Sequence, residues 1–340
     1  MEKTIIDIAK YCNVSTATVS RVINSPSEVK EETRIKVEKA IERFKFVPNK
    51  KAQNLAKGKA NVVAFVTSFE QDGAFKNPHK FEIMSGVQKV LESHGYLMLL
   101  LQVNNNIKMV KLLYENKTVS GFIIHASSLS KELEEYILKN KVPHLVIGMF
   151  NKKCDLSRVD NNNYLCGKMA AEYLHKIKRE NFIYVGGEES DNTNTFRRKG
   201  VLDYFQTKFL EVKNYKFINT HASINDGYKA ITSLARNTPL NNFNSIICSN
   251  NHIAVGVLRA LEDLKIKVPK DIALITFDDY PFATYTKIPL TSVSINMYQL
   301  GMNAANFLLE KIKEPNLEIR TYITLPKLIE RESSMLKGDK

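Results

Sequence analysis

Residues 4–24 of this chain are TIIDIAKYCNVSTATVSRVIN, in which apolar side chains repeat at helical spacing on both sides of a short polar break. Asn13 lies in that break and tolerates the left-handed conformation of a tight turn. Ser15 is a suitable N-cap for a second helix. Two helices joined in this way are typical of a helix-turn-helix motif, whose second helix enters the major groove of DNA. The sequence therefore predicts a DNA-binding segment at the N-terminus.

The second helix of this motif has one apolar and one polar face. The side chains that face inward are Val19, Val22 and Ile23. The side chains that face outward are Thr16, Ala17, Thr18, Ser20 and Arg21. Arg21 is the long donor on this face and can form two hydrogen bonds with guanine. We expect phosphate contacts from a further set of polar residues, which also suit helix caps and turns. This set is Thr4, Ser15, Ser20, Asn24 and Asn49.

A third amphipathic helix is predicted over residues 31–44, and a basic stretch follows it. In that stretch Asn49 can cap a short helix and Gly58 can end it. A helix of this length is not stable alone in water, so we expect it to fold only against DNA.

Residues 4–59 resemble the headpiece and hinge of the lactose/galactose repressor (LacI/GalR) family of bacterial transcription regulators. The resemblance implies that the block 48–56 is a hinge helix in the minor groove, where Leu55 wedges a base step and kinks the duplex. Gln53 lies on the same helix and is included among the DNA-binding residues. The base-reading residues that the resemblance implies are Thr16, Ala17 and Arg21.

Composition agrees with a soluble protein that has a polyanionic partner. The chain has 340 residues, of which 44% are hydrophobic and 25% are charged, and this length allows two or three domains. Its formal net charge is +13. Residues 1–60 hold 13 Lys and Arg against 7 Asp and Glu, whereas the other 280 residues hold 36 against 29. Positive charge is therefore most concentrated where the DNA-binding motif lies.

From residue 61 onward, short apolar runs alternate with helical stretches. Continuous apolar strands of this kind form parallel sheets that helices cover on both faces, and this many units favours two sheets. The expected fold class is therefore α/β, with a helix-turn-helix headpiece followed by a core of two subdomains. In such sheets ligands bind at the carboxyl ends of the strands, so the cleft between the subdomains is the expected site.

The core also resembles the same family, whose core is a periplasmic-binding-protein-like pair of subdomains. The matching segments are VDN at 159–161, RRKG at 197–200, VPKDI at 268–272, FDD at 277–279 and LPKLIERES at 325–333. Asn251 stands where the family usually has aspartate, and Lys178-Arg179 stands where Gly-His is common.

The resemblance implies an effector site in the cleft, formed by Arg197, Asn250 and Asp278. A guanidinium and a carboxylate can each bind two neighbouring hydroxyls, and an amide both donates and accepts, which suits a sugar. The alternative is that these residues form a structural ion pair or cap helices. Because the chain has no Trp, stacking on a sugar ring would fall to Phe69 and Phe150, with Phe75 and Tyr280 as looser candidates. His125 and His252, near strand ends, are expected to be satisfied or exposed histidines.

The predicted domain limits are 1–47 for the headpiece, 48–60 for the hinge, 61–159 with 292–321 for the N-subdomain, 160–291 with 322–333 for the C-subdomain, and 334–340 for a tail.

No catalytic motif of the GxxxxGK[ST], GxGxxG, HExxH or GxSxG type is present, so we expect no enzyme activity, metal or cofactor.

We interpret the chain as a transcriptional repressor whose affinity for operator DNA is controlled by a sugar or sugar phosphate. The few residues after Ser333 leave no room for a coiled coil, which favours a homodimer. Four scattered cysteines and the lack of a signal peptide favour the cytoplasm. Two alternatives stay open: a corepressor-dependent or global regulator of this fold, and a sugar-binding protein or sugar enzyme with no DNA role.

Overall fold

The computed structural model describes residues 4–46, 60–68, 78–103, 107–148, 155–188, 191–208, 212, 214–318 and 321–335. The chain forms two compact units, residues 1–61 with 115–120 and residues 62–114 with 121–340. Within the described segments, no helix has both the length and the apolar composition that crossing a membrane requires.

Three helices surround a small apolar core in the N-terminal unit. They are α1 (Ile5–Cys12), α2 (Thr16–Asn24) and α3 (Glu31–Arg43), with a 3-10 turn at Pro26–Glu28. Asn13 has a φ of 50°, as the turn between α1 and α2 requires, and Ser15 caps α2 by accepting the Thr18 N–H. The buried core consists of Ile8, Ala9, Cys12, Val19, Val22, Val37 and Ala40. The predicted helix-turn-helix and third helix are therefore confirmed.

The rest of the chain alternates strands and helices. The strands are β1 (Val62–Thr67), β2 (Leu97–Gln102), β3 (Gly121–His125), β4 (His144–Ile147), β5 (Arg158–Asn161), β6 (Phe182–Val185), β7 (Tyr215–Ile218), β8 (Ser245–Cys248), β9 (Ala273–Phe277), β10 (Thr291–Ser294), β11 (Thr321–Thr324) and β12 (Lys327–Ile329). The helices are α4 (Pro78–Ser93), α5 (Lys108–Glu115), α6 (Lys131–Lys139), α7 (Asn163–Lys176), α8 (Asn192–Thr207), α9 (Ile224–Asn237), α10 (Asn251–Asp263) and α11 (Met297–Lys313). Short 3-10 turns lie at Ala126–Ser128, Leu240–Asn242 and Pro281–Thr284.

These strands form two six-stranded sheets. The N-sheet has the order β11-β5-β4-β3-β1-β2, and the C-sheet has the order β12-β10-β9-β8-β6-β7. All pairings are parallel except that of β10 with β12. Strand β9 is buried along its whole length, as expected for a central strand with both faces covered. The carboxyl ends of the parallel strands form the ligand-binding edge of each sheet.

The chain passes between the two sheets three times: from β5 to α7, from β10 to α11, and from β11 to β12. Asn161 connects the three crossing segments, since its Oδ1 accepts the Thr324 hydroxyl at 2.5 Å and its Nδ2 donates to the Met297 sulfur at 3.8 Å.

The predicted subdomain limits after residues 159, 291 and 321 each fall within a strand. Because a strand bonds to one sheet along its length, each crossing lies a few residues further on. The other predicted limits stay predictions.

Helices α7 and α8 approach so closely that Gly167 touches the backbone of the neighbouring helix. A Cβ at Gly167 would lie 1.8 Å from the carbonyl oxygen of Arg197, which cannot move without shifting α8. Only glycine fits at this crossing, and the contact fixes the position of α8 in the core.

We predict that Gly167→Ala destabilises the protein by about 1–3 kcal/mol or more, although alanine favours helices, because the added methyl group separates α7 from α8. Urea unfolding followed by circular dichroism measures the change. The control is Gly95→Ala, where the Cβ meets nothing within 4 Å and the φ of +73° alone costs about 1 kcal/mol. Equal losses in the two variants would contradict the close approach of the helices.

Candidate functional site

Arg197 is a buried cation in the core, only 4% exposed. Helix α8 presents it toward the carboxyl ends of the C-sheet strands. Its guanidinium donates from Nε to Asn163 Oδ1 at 3.1 Å, from Nη1 to the Ser249 carbonyl at 3.0 Å and from Nη2 to Asp278 Oδ1 at 3.1 Å. It also stacks over the Phe277 ring, with 4.6 Å between Cζ and the ring centroid. The positive charge is therefore paired and held on several sides.

Asp278 follows β9 and is the partner that joins Arg197 to the N-sheet side of the core. Its Oδ2 lies 2.9 Å from His79 Nε2, at the start of α4. Burial raises the pKa of the Asp278 carboxyl, but His79 and Arg197 outweigh it and lower that pKa to about 2. The carboxylate is thus ionised at neutral pH. Both of its oxygens are bound by cationic or donor groups, one from each side of the cleft.

The loop that carries Asp278 has an unusual backbone. Asp278 has a φ of 71°, in the left-handed region that few non-glycine residues occupy. Asn251 supports this loop, because its Nδ2 donates to the Asp278 carbonyl at 3.0 Å and its Oδ1 accepts the Tyr280 N–H at 2.8 Å. An aspartate at position 251 could not donate to that carbonyl. Next to it, Asp279 accepts two hydrogen bonds from Arg331, at 2.6 and 2.9 Å.

The opposite wall of the cleft consists of polar groups that follow β1 and β3. Lys80 Nζ donates to the Ser68 carbonyl at 2.7 Å, and the Ser68 and Ser127 hydroxyls lie 3.1 Å apart. The Ser127 hydroxyl lies 2.7 Å from His125 Nδ1. Burial and the nearby charges of Lys80 and His79 lower the pKa of His125 to about 4, so its ring is neutral at pH 7.

Two of the predicted effector-site residues, Arg197 and Asp278, therefore meet. Arg197 and Asp278 are in direct contact, whereas Asn250 caps α10 by accepting the Ile253 N–H at 2.9 Å. Phe69, Phe75 and Phe150 lie outside the described residues. His125 was expected to be a satisfied or exposed histidine, and its place in the wall of the cleft was not predicted. Sequence reasoning missed His79, Asn163, Ser68, Lys80 and Ser127, although Ser68 and Ser127 directly follow predicted strands.

In the headpiece, several predicted DNA-binding residues also hold the local structure. Thr4 forms a reciprocal capping box with Asp7, and Asn24 Nδ2 donates to the Ser20 carbonyl at 2.8 Å. The expected capping roles of Thr4 and Ser15 are therefore present. Thr16, Ala17 and Arg21 are exposed on the outer face of α2, and Thr18 and Ser20 are half-buried. Asn49, Gln53 and Leu55 lie outside the described residues, so the hinge helix stays a prediction.

Comparison with known proteins assigns both parts of the chain. Residues 4–49 match the lacI family of bacterial regulatory proteins, and residues 171–334 match the periplasmic binding protein-like domain. Catabolite control protein A of Staphylococcus xylosus is 27% identical over 333 residues, which cover 97% of this chain and 98% of that protein. The chain therefore joins a DNA-binding domain of the lacI family to a periplasmic binding protein-like domain. It is accordingly a DNA-binding transcription regulator rather than an enzyme, and the resemblance drawn from its sequence is confirmed.

Solved structures of LacI-family regulators share this fold. A Lac repressor dimer bound to operator and the anti-inducer ONPF has a TM-score of 0.82 at 21% identity, covering 99% of this chain and 100% of that one. The transcriptional regulator CelR in complex with cellobiose has a TM-score of 0.69 at 23% identity, covering 98% and 100%. The expected fold class, an α/β core behind a helical DNA-binding region, is therefore confirmed.

One buried carboxyl lies near the cleft without an equal counter-charge. Asp160, at the first crossing, is 4% exposed and accepts the Asn161 N–H at 2.7 Å. Burial raises the pKa of Asp160 to about 6, although that hydrogen bond and the charges of Arg158 and Arg197 lower it. The folded protein therefore holds a proton on Asp160 more tightly than the unfolded chain does. Its contribution to stability falls as the pH rises from about 4 through 6.

We predict that Asp160→Asn stabilises the protein by about 1–3 kcal/mol at pH 7.5 and removes the loss of stability between pH 4 and 6. Chemical unfolding at a series of pH values gives the free energy of unfolding for each variant. Asp155→Asn, at an exposed carboxyl a few residues earlier, serves as the control and should leave the pH profile unchanged. A wild-type profile for Asp160→Asn would contradict the burial penalty.

Proposed function

We propose that this LacI-family regulator is a transcriptional repressor that binds operator DNA as a homodimer in the cytoplasm and responds to a sugar or sugar phosphate in the core cleft. The observation that carries the proposal is the contact of Asp278 with Arg197 on one side and His79 on the other. The Asp278 carboxylate accepts hydrogen bonds and the Arg197 guanidinium donates them, which suits two neighbouring hydroxyls of a sugar. The CelR structure contains cellobiose, and the Lac repressor structure is a dimer on its operator, which supports the same roles here.

The proposed mechanism is linkage between the cleft and the DNA-binding helices. Since His79 and Asp278 belong to opposite sides of the cleft, a ligand that exchanges their contact for its own hydroxyls changes the angle between the sheets. Such a ligand alters operator affinity only by as much as it favours one arrangement over the other. We infer that the change reaches the DNA through the segment 48–60.

The proposed DNA contacts combine base reading and positioning. Arg21 and the small residues Thr16 and Ala17 read bases from the outer face of α2, and Leu55 and Gln53 act in the minor groove. Phosphate contacts come from Thr4, Ser15, Ser20, Asn24 and Asn49, and Thr18 lies among them on the DNA-facing side of α2. The exposure of Arg21 and Ala17 supports their part of this proposal.

We predict that Arg21→Ala reduces discrimination between operator and scrambled DNA by about 1–3 kcal/mol, because a two-fold hydrogen bond to guanine is lost. Fluorescence anisotropy with both duplexes at one salt concentration measures the two affinities. The matched control is Arg34→Ala, which removes the same charge from α3, where Arg34 pairs with Glu31 and Glu38. If Arg21→Ala weakens both duplexes equally, Arg21 contacts the phosphate backbone rather than a base.

We predict that Asp278→Asn weakens effector binding at least about tenfold, since a charged acceptor is lost, while operator affinity without effector is retained. Asparagine keeps the left-handed loop geometry. A thermal-shift screen of pentoses, hexoses, disaccharides and their phosphates first identifies a ligand, and operator binding is then measured across its titration. The control variant is Glu172→Gln, at an exposed carboxylate on α7.

Three results of this titration are informative. Release of operator by wild type but not by Asp278→Asn supports an inducer site at Asp278. Release by both at the same concentration removes Asp278 from the site. Tighter operator binding by wild type with the ligand supports the corepressor alternative instead.

A further inference from the structure

We propose that the N-sheet wall of the cleft is an anion subsite, in which Lys80 and His125 bind the phosphate or carboxylate group of the effector. The inference rests on the proposed function of the cleft and adds a chemical class to it. The ligand is then a polyol that carries an anionic group, with hydroxyls toward Asp278 and the anionic group toward Lys80 and His125.

The first support is geometric. Lys80, Ser68, Ser127 and His125 form one continuous network of hydrogen bonds at the carboxyl ends of β1 and β3, with distances of 2.7, 3.1 and 2.7 Å between successive partners. The residues come from α4 and from two strand ends, so the fold brings them together from separate segments. Lys80 and His125 are each partly exposed.

The orientation of His125 provides a donor. Its Nδ1 accepts the Ser127 N–H at 3.3 Å and lies 2.7 Å from the Ser127 hydroxyl. A neutral imidazole that accepts at Nδ1 carries its proton on Nε2. The ring therefore has an N–H donor directed away from the serine network, and an anion that binds there can also stabilise the protonated ring.

The second support is electrostatic. The charged side chains that act on His125 are Lys80 and His79, and both are basic. Asp278, from the opposite side of the cleft, contacts His79, and Glu82 interacts with His79 from the next turn of α4. Lys80 and His79, as basic neighbours of His125 among the described residues, favour an anion beside its ring.

The two ends of the cleft have complementary chemistry. His79 lies between them, since it contacts Asp278 and also acts on His125. A neutral sugar would use the Asp278 end alone. A phosphorylated or acidic sugar would bind both ends and so connect the N-sheet to the C-sheet through its own atoms, which is the contact that a cleft-closing effector must make.

The test uses inorganic phosphate and acetate as probes on the full-length protein. Histidine resonances are followed by NMR from pH 7 to 5.5 in sodium phosphate, sodium acetate and sodium chloride at equal ionic strength, and His125 is assigned from a His125→Asn variant. In chloride we expect the His125 signal to stay at its neutral position. In phosphate we expect a saturable shift of the His125 signal within this pH range, because an opposite charge at short range raises the pKa of the ring toward it.

Variants separate the subsite from general salt effects. Lys80→Gln should weaken phosphate binding at least about tenfold, because it removes a charged donor. Lys89→Gln removes the same charge from an exposed position on the same helix and should bind phosphate as wild type does. If Lys80→Gln does not fold, His125→Asn followed by calorimetric titration with phosphate replaces it, with the same tenfold loss expected.

Each outcome decides the proposal. A response to phosphate or to acetate that Lys80→Gln removes supports the subsite and identifies the anionic group. Equal shifts in all three salts, or equal binding by Lys80→Gln and Lys89→Gln, overturn it. If neutral sugars bind at Asp278 while phosphate leaves His125 unchanged, the subsite is overturned and the effector function stands. If phosphate shifts His125 but no sugar or sugar phosphate alters operator binding, the subsite stands and the effector function does not.

Discussion

The structure depends on one buried charge, the guanidinium of Arg197. A cation removed from water is tolerated only when acceptors surround it, and here they come from α7, from the end of β8 and from the loop after β9. Asp278 supplies the charged acceptor in this set and has to be correctly placed. The left-handed backbone at Asp278, the Asn251 side chain beneath it and the Arg331 contact to Asp279 all serve that requirement. Arg197 therefore fixes the geometry of the whole cleft edge of the C-sheet.

From the sequence, a structural ion pair and a ligand-binding site were alternative interpretations of Arg197 and Asp278. In the structure the two roles are linked. Arg197 and Asp278 form an ion pair, and the pair lies at the ligand-binding edge of a parallel sheet. Because Asp278 also contacts His79, any ligand that binds there has to exchange protein contacts for its own. The free energy of binding is then the difference between the contacts that the protein makes without the ligand and those that it makes with the ligand. A conformational response requires such a difference.

The fold could be predicted from the sequence because its signals are local. Apolar runs gave most of the buried strands, and Asn13 and Ser15 marked the turn and cap of the headpiece. Strands β5, β7, β10 and β11 are short and contain no continuous apolar run, so this pattern does not reveal them, and β7 is an edge strand with two exposed residues. Helix α5 has only eight residues. The residues of the candidate site in the cleft were harder to predict from the sequence. Arg197 and Asp278 came from the family resemblance, whereas His79 and Lys80 gain their roles from contacts with distant strand ends that spacing along the chain does not encode. Asn250 came from the same resemblance and stays a prediction, and in the structure its side chain caps α10.

The three crossings between the sheets restrict how a cleft ligand can act. Asn161 bonds to Thr324 and Met297, so the crossing segments are tied together at one point and the sheets can turn about it but cannot slide apart freely. Asp160 lies beside this point, and because burial raises its pKa to about 6, its carboxyl is about half ionised near pH 6 and becomes fully charged at higher pH. The His79–Asp278 contact joins the two sheets through side chains alone, which makes it the natural place for a small molecule to set the angle between them.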